Sequence, residues 1–194
     1  MRKATIERKT KETDITVTFN IDGQGKGKID SGIGFFDHML SGFSKHGFFD
    51  LELTCKGDIN VDGHHSVEDC GIVLGNAIKE ALASKEGIKR FGNFMIPMDD
   101  ALVLCAIDLS GRPYLCLDLD IEEQFCGDFE TALVKEFFYA LSYSAGMNIH
   151  LKKISGDNAH HIIEAAFKAF GKALDEATTF DSRVEGVLST KGAL

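Results

Sequence analysis

Two short segments concentrate side chains that could bind a metal ion. Residues 64–69 read HHSVED and residues 160–165 read HHIIEA, so each holds a histidine pair followed by a glutamate. The chain has only seven histidines, and four of them lie in these pairs. Imidazole and carboxylate ligands suit zinc, manganese or iron, and the carboxylates favour the harder manganese. The repeated HHxxE motif therefore predicts metal chemistry.

The two motifs belong to a longer internal repeat. A shift of 160 − 64 = 96 positions places His64 on His160 and Glu68 on Glu164. The apolar residues that follow recur at spacings of three, four and seven in both segments, which is typical of an amphipathic helix. We therefore expect helices over 64–83 and 160–177, each beginning at an HHxxE motif.

The helical geometry limits how one motif can share ions. His64 and His65 point about 100° apart around a helix, and Glu68 lies between them. The glutamate can share a cation with either histidine. Because the two histidines point so far apart, they cannot easily bind one ion together with the same glutamate. We therefore expect the two histidines of a motif to bind different ions. For a single motif, helix capping or pairing of histidine with glutamate would be an equally good explanation. The duplication favours metal binding, because folding does not require the repeat.

Two further histidines extend the candidate ligand set. His38 lies on an otherwise apolar predicted helix and His150 on a predicted strand; each alone is more typical of a partly buried histidine with an ordinary partner. Together with the motifs they make two sets of three imidazoles and one carboxylate, which leaves open positions for substrate or water. The candidate metal ligands are His38, His64, His65, Glu68, His150, His160, His161 and Glu164. A structural zinc site is disfavoured, because no cysteine has the spacing for one.

The elements that must position these residues also repeat. Helices are predicted to end at Gly47 and Gly146, and each is followed by an alternating strand, over 48–55 and 147–154. Further strands are predicted over 4–10, 14–21, 101–109 and 113–121. We predict an α+β fold of two similar halves, 1–93 and 94–194, each a mainly antiparallel sheet of about four strands with two helices on one face. The glycine-rich segment 22–34 lacks the ending of a phosphate loop and favours a flexible hairpin or an active-site loop.

Composition excludes several classes of partner. The formal net charge of −9 argues against a nucleic-acid or anionic-membrane partner. The N-terminus has no apolar core of a signal peptide, and no apolar run approaches the length of a membrane span. The five cysteines form no CxxC pair and favour reduced, mostly buried thiols. We expect a cytoplasmic protein.

Several motifs together resemble the imidazoleglycerol-phosphate dehydratase family. The resemblance rests on DSGIGFFDHML, KHGFFDLEL, GHHSVEDCGIVLGNAI, GIKRFG, DLSGRPY and NAHHIIEAAFKAFGKAL, and it covers nearly the whole chain. It implies a monofunctional hydro-lyase of histidine biosynthesis. It also implies a duplicated α+β fold, two Mn²⁺ ions per active site held by the eight candidate ligands, and a homo-oligomer. That oligomer would be a twenty-four-subunit octahedral particle built from trimers, with metal sites at subunit contacts.

The resemblance further implies a reaction and roles for other residues. Water is removed from imidazoleglycerol phosphate to give imidazole-acetol phosphate, through a metal-bound imidazolate and a diazafulvene-like intermediate. Glu12 is the candidate general base, and an exposed strand charge is the alternative for it. Glu68, Glu164 and His65 are the other candidate catalytic residues. The expected substrate contacts are Glu12, His38, His46, Arg90, Arg112, Lys168, Ser189 and Lys191. The chain has leucine where the family usually has proline before STKG.

Two other functions would use the same ligands. A dinuclear metallohydrolase could make a hydroxide nucleophile to cleave a phosphate ester, although such enzymes usually carry more aspartate ligands. A metal-storing or structural cage would use the ions only to join subunits. Release of phosphate from simple esters would indicate the hydrolase, and loss of assembly in a protein without activity would indicate the cage.

Overall fold

The first half of the chain is a four-stranded sheet with two helices. The computed structural model describes residues 1–192. The elements of this half are β1 (Lys3–Lys9), β2 (Thr13–Asn20), β3 (Gly27–Asp30), α1 (Gly34–His46), β4 (Asp50–Gly57) and α2 (His64–Leu82). The strand order is β1-β2-β4-β3, with β3 parallel to β4 and the other neighbours antiparallel.

The second half repeats this topology. Its elements are β5 (Phe91–Met98), β6 (Ala101–Asp108), β7 (Tyr114–Asp118), β8 (Phe125–Cys126), β9 (Phe129–Glu130), α3 (Leu133–Ala145), β10 (Asn148–Ser155) and α4 (Ala159–Thr178). The order β5-β6-β10-β7 again places one parallel pair, β7 with β10, at an edge of the sheet. The short hairpin β8–β9 has no counterpart in the first half. The prediction of an α+β fold with two similar halves is confirmed.

The core lies between the two sheets and is filled by their helices. Strands β2, β4 and β6 alternate buried and more exposed residues, so each sheet turns one apolar face inward. The helices cover these inner faces, and α2 packs on α3 while α1 packs on α4. Each half therefore contributes one helix to each of the two helix pairs. The resulting core is rich in buried phenylalanine.

Glycines at equivalent positions in the two halves permit the close approach of these helices. A Cβ on Gly75 of α2 would lie 2.7 Å from the carbonyl oxygen of Leu141 on α3. A Cβ on Gly171 of α4 would lie 2.6 Å from the carbonyl oxygen of Phe43 on α1. These glycines are 171 − 75 = 96 positions apart, the same shift that relates the HHxxE motifs.

The structure corrects several predicted elements. The two motif helices and the helix ends at Gly47 and Gly146 agree with the sequence within two residues. Strands β3 and β5 were not predicted: β3 lies in the glycine-rich segment expected to be a flexible hairpin or an active-site loop, and β5 spans the expected boundary at 93 and 94. Residues 193 and 194 of the predicted second repeat lie outside the described residues.

The outer faces of the two sheets differ in character. The outward residues of the first sheet are polar, for example Thr16, Thr18, Glu52 and Thr54. The second sheet instead presents apolar side chains on its outer face: Phe91, Met95 and Tyr114 are about half exposed, at 51%, 54% and 55%.

All five cysteines are free thiols, and Cys55, Cys70 and Cys105 are buried. Within residues 1–192, no helix is long and apolar enough to cross a membrane.

Candidate metal centre

Both HHxxE motifs lie in the first turn of a helix. An upstream polar side chain fixes each start: the side chain of Asn158 accepts a hydrogen bond from the backbone N–H of His161, and that of Asp62 accepts one from the backbone N–H of His64. His64 and His160 line one cavity of 920 Å³, together with the β8–β9 hairpin. The fold therefore directs both motif openings toward a shared space.

Around the second motif, three candidate ligands meet within a single chain. Donor atoms of His38, His160 and Glu164 all lie within 4.8 Å of one another. The Oε2 atom of Glu164 is 3.5 Å from Nε2 of His38 and 3.2 Å from Nε2 of His160. Helix α1 supplies His38 because it packs directly on α4. Two imidazoles and a carboxylate at this spacing fit a divalent cation.

Glu164 is buried and held by a lysine. Its side chain is 9% exposed, and Nζ of Lys168 is 2.6 Å from its Oε1 atom. Burial by itself raises the pKa of Glu164, but the hydrogen bond and the charge of Lys168 outweigh it and keep the pKa below its ordinary value. Lys168 also reaches the sulfur of Met98. His46 lies near this pair, and burial followed by the charge of Lys168 lowers its pKa.

The first-half motif is more open. Nε2 of His64 lies 3.4 Å from Oε2 of Glu68, and both side chains are nearly half exposed, at 46% and 44%. Within the described residues, the metal-ligand geometry is met only by the group around Glu164. His150 is exposed on the outer face of the second sheet, beside Tyr114, while the helices cover the inner face. A single chain therefore does not bring all eight candidate ligands together.

The second histidine of each pair turns away from its glutamate toward an aspartate. Nδ1 of His161 is 2.6 Å from Oδ1 of Asp100, and Nδ1 of His65 is 3.1 Å from Oδ2 of Asp58. These hydrogen bonds raise the pKa values of His161 and His65. Neither aspartate is among the residues predicted from the sequence. Asp58 precedes the first motif by a few residues, and this short distance was a weak signal that it could contact the motif. Asp100 comes from a distant turn, so no local sequence signal indicated its contact with His161.

Glu12 lies close to the first motif. Its Oε2 atom is 3.9 Å from Nδ1 of His65, and its side chain is 56% exposed. The turn between β1 and β2 that carries it is tied to α2, because Thr13 and Arg8 both donate hydrogen bonds to the carboxylate of Asp69. The backbone carbonyl of Glu12 also accepts a hydrogen bond from the N–H of Asp58. Glu12 is thus an accessible carboxylate on an anchored turn.

The expected phosphate contacts lie in two places within the chain. Arg90, Arg112, Ser189 and Lys191 line one cavity of 680 Å³, together with Arg183. Arg90 donates both to the carboxylate of Asp108, at 2.7 and 3.1 Å, and to the carbonyl oxygen of Leu188. His46 and Lys168 instead lie beside Glu164. The cavity therefore gathers four of the expected contacts, while Lys168 lies beside the group of His38, His160 and Glu164.

Comparison with known proteins identifies the family. The sequence model described as imidazoleglycerol-phosphate dehydratase matches residues 31–174. The chain belongs to the imidazoleglycerol-phosphate dehydratase family. The protein of that name from Lachnoclostridium phytofermentans is 62% identical over 193 residues, which cover 100% of this chain and 98% of the relative. The corresponding protein of Acetivibrio thermocellus is 58% identical and is covered to 99%.

Solved structures of imidazoleglycerol-phosphate dehydratases share the fold. The enzyme from Pyrococcus furiosus aligns with a TM-score of 0.84 and 43% identity, covering 97% of this chain and 100% of that one. The enzyme from Staphylococcus aureus also aligns with a TM-score of 0.84, at 37% identity, with coverages of 92% and 99%. The predicted resemblance to this family and the predicted hydro-lyase class are confirmed.

Proposed function

We propose that this chain dehydrates imidazoleglycerol phosphate to imidazole-acetol phosphate in histidine biosynthesis, with two Mn²⁺ ions per active site. The observation that carries the metal assignment is the group of His38, His160 and Glu164, whose donor atoms lie within 4.8 Å of one another. Two of the three residues, His160 and Glu164, belong to the repeated motif. Family membership supports the reaction. The route through a diazafulvene-like intermediate is part of the same proposal.

The ions would be held by the imidazole and carboxylate side chains of the two motifs, with His38 and His150. When bound, divalent ions act as Lewis acids and stabilise negative charge on a substrate group such as an imidazole ring. This charge stabilisation is needed because the proton to be removed is not adjacent to a carbonyl. The pairing of each second histidine with an aspartate leaves its Nε2 atom available as a ligand atom.

Glu12 is the proposed proton acceptor. It is more than half exposed, so substrate can reach it, and its anchored turn holds it within 3.9 Å of His65. Glu68, Glu164 and His65 would contribute by holding the ions. A general base must lie within hydrogen-bonding reach of the proton it removes, and this turn places a carboxylate at the edge of the first motif.

The cavity between the end of the chain and β5 would bind the phosphate. Arg112 and Lys191 carry charge into it, and Ser189 adds a hydroxyl. Arginine offers parallel N–H donors that match phosphate oxygens, so a local cluster can overcome an acidic mean charge. In the structure Arg90 is bound to Asp108 and Leu188, so its contribution would be to shape this site as well as to charge it.

Assembly into a homo-oligomer would complete the sites. Two observations support it: His150 lies on the outer face of the second sheet, away from the cluster at Glu164, and that face exposes Phe91, Met95 and Tyr114. Exposed apolar residues grouped on one face are typical of interaction sites. We propose that copies of this chain cover the face in the expected twenty-four-subunit particle. Cytoplasmic localisation stays a prediction.

The direct test is catalysis by purified protein loaded with manganese. Incubation with imidazoleglycerol phosphate should form an enol or ketone product that ultraviolet absorbance detects, without release of inorganic phosphate. Removal of the metal with a chelator should abolish the signal, and added Mn²⁺ should restore it. Phosphate release would indicate the metallohydrolase instead. An assembled, manganese-loaded particle with no product signal would contradict the proposal and favour the cage.

A further inference from the structure

Asp100 joins the turn between β5 and β6 to the start of α4. Its Oδ2 atom accepts hydrogen bonds from the backbone N–H groups of Asp157 and Asn158, at 2.8 and 3.1 Å. Its Oδ1 atom lies 2.6 Å from Nδ1 of His161. An ionised carboxylate can only accept hydrogen bonds, so Nδ1 of His161 must carry the proton. The neutral ring then has its free lone pair on Nε2.

Asp58 makes the corresponding contact in the first half from a different element. It lies in the loop between β4 and α2, and its two carboxylate oxygens are 3.2 and 3.1 Å from Nδ1 of His65. The β1–β2 turn, which corresponds in topology to the turn carrying Asp100, instead places Glu12 3.9 Å from the same atom. The two halves therefore reach the same arrangement, a carboxylate on Nδ1, with aspartates from unrelated positions.

We propose that Asp58 and Asp100 are positioning residues that fix the tautomer and the direction of His65 and His161, so that Nε2 faces the metal. The inference rests on the proposed metal sites. A metal-ligating histidine commonly donates its other ring N–H to a carboxylate, and removal of that acceptor typically costs 10–100-fold in metal affinity. Asp99 lies on the Nε2 side of His161, at 3.5 Å, and its side chain is 75% exposed, so it can move aside.

The two aspartates should respond differently to asparagine. The carboxylate of Asp58 hydrogen-bonds only His65 within the described residues, so in Asp58→Asn the amide oxygen can still accept from Nδ1. Asp100 accepts from His161 on one oxygen and from backbone N–H groups on the other. In Asp100→Asn the amide NH₂ would face one of these donors. Asparagine should therefore preserve the hydrogen bond to His65 at position 58. At position 100 it should lose one of the hydrogen bonds that the aspartate accepts.

The test is equilibrium binding of Mn²⁺ to the full-length protein, followed by the electron paramagnetic resonance signal of the free ion. Asp58→Ala, Asp100→Ala and Asp100→Asn should each weaken one class of site by about 10–100-fold, and Asp58→Asn by about threefold or less. Asp157→Asn removes one carboxylate from the loop just before the helix that carries His161 and is the matched control, with wild-type affinity expected. Circular dichroism checks the fold of each variant.

The outcomes separate this inference from the proposed function. Wild-type affinity in Asp58→Ala, or equal losses in Asp58→Ala and Asp58→Asn, would overturn the positioning role in the first half. Wild-type affinity in Asp100→Asn would overturn it in the second. If Asp100→Ala does not fold, the comparison of Asp58→Ala with Asp58→Asn still tests the positioning role. A wild-type protein that binds no manganese would overturn the proposed function and this inference together.

Discussion

The two HHxxE motifs share a sequence but differ in their surroundings. Glu164 is 9% exposed and its carboxylate pairs with Lys168, His38 and His160. Glu68 is 44% exposed, and among the basic side chains of the described residues its carboxylate pairs only with His64. The shift of 96 places Lys168 on Ile72, which has no charge to offer. The helix packed on α4 supplies His38, whereas α3, packed on α2, contributes apolar side chains such as Phe137. The two halves therefore keep the same HHxxE side chains in different surroundings.

The packing of the two halves has diverged less than their chemistry. Gly75 and Gly171 occupy equivalent positions and meet the backbone of a facing helix at nearly the same distance. The strand orders are also the same. A duplicated fold can therefore keep its helix contacts while the glutamate of one motif becomes buried and that of the other stays exposed.

The largest predicted effects come from replacing the two glutamates. Glu68→Gln and Glu164→Gln should each lower dehydratase activity at least 10–100-fold, because each removes a proposed metal ligand. Only Glu164→Gln should also lower the free energy of unfolding, by about 1–3 kcal/mol, because Lys168 loses its ionic partner in a largely buried place. Thermal unfolding of the metal-free proteins at equal concentration measures this difference. Equal losses of stability would contradict the contrast between the motifs.

The cationic cavity should show a smaller effect on substrate binding. Arg112→Ala should raise KM about 10-fold or more at nearly unchanged kcat, since a charge-assisted hydrogen bond contributes about 1.5–3 kcal/mol. Arg183 lines the same cavity but pairs with Asp181, and its side chain is 87% exposed. Arg183→Ala is therefore the matched control. Steady-state kinetics in which both variants have the same KM would argue against a specific phosphate site.

The packing equivalence can be tested with two glycine substitutions. Gly75→Ala and Gly171→Ala should each lower the free energy of unfolding by about 1–3 kcal/mol, because the added methyl groups meet backbone atoms that cannot move easily. Gly34→Ala, whose added Cβ meets nothing within 4 Å, is the control and should leave stability nearly unchanged. Denaturant unfolding would refute the equivalence if only one of the two variants were destabilised.

The smallest predicted difference between the two halves is in how their stability depends on acidic pH. Asp50 begins β4 and accepts hydrogen bonds from the backbone N–H groups of Gln24 and Lys26, which lower its pKa. Its counterpart at the start of β10 is Asn148, which does not ionise. A carboxyl group with a lowered pKa stabilises the fold above its unfolded pKa, about 3.9, and loses that contribution as the pH falls through the folded value.

Asp50→Asn should therefore make the unfolding temperature less dependent on pH below about pH 4. Asn148→Ala is the control and should leave the slope of the wild-type curve unchanged. If the unfolding temperatures of Asp50→Asn and wild type fall in parallel as the pH is lowered, ionisation of Asp50 does not contribute to the pH dependence of stability.

The sequence predicted the helices and the repeated motif well, because apolar spacing and an exact HHxxE repeat are local signals. It missed β5, whose residues Phe94, Met95 and Pro97 are all exposed and do not alternate clearly. It did not predict β3, because the glycines of this segment are typical of turns and the strand is only four residues long. It also missed Asp100 at His161, since that contact spans 61 positions. Contacts between distant turns depend on the packing of the halves and leave no local pattern.

We propose that the glutamates of the two motifs, Glu68 and Glu164, bind separate divalent ions. Crystals of manganese-loaded protein, measured at the manganese absorption edge, test it by anomalous scattering. We predict two peaks per chain, one next to the imidazoles of His38 or His160 and the carboxylate of Glu164, and the other next to the His64–Glu68 pair. A map with no peak at either glutamate, in protein that remains assembled and active, would contradict the binding of these ions by the two motifs.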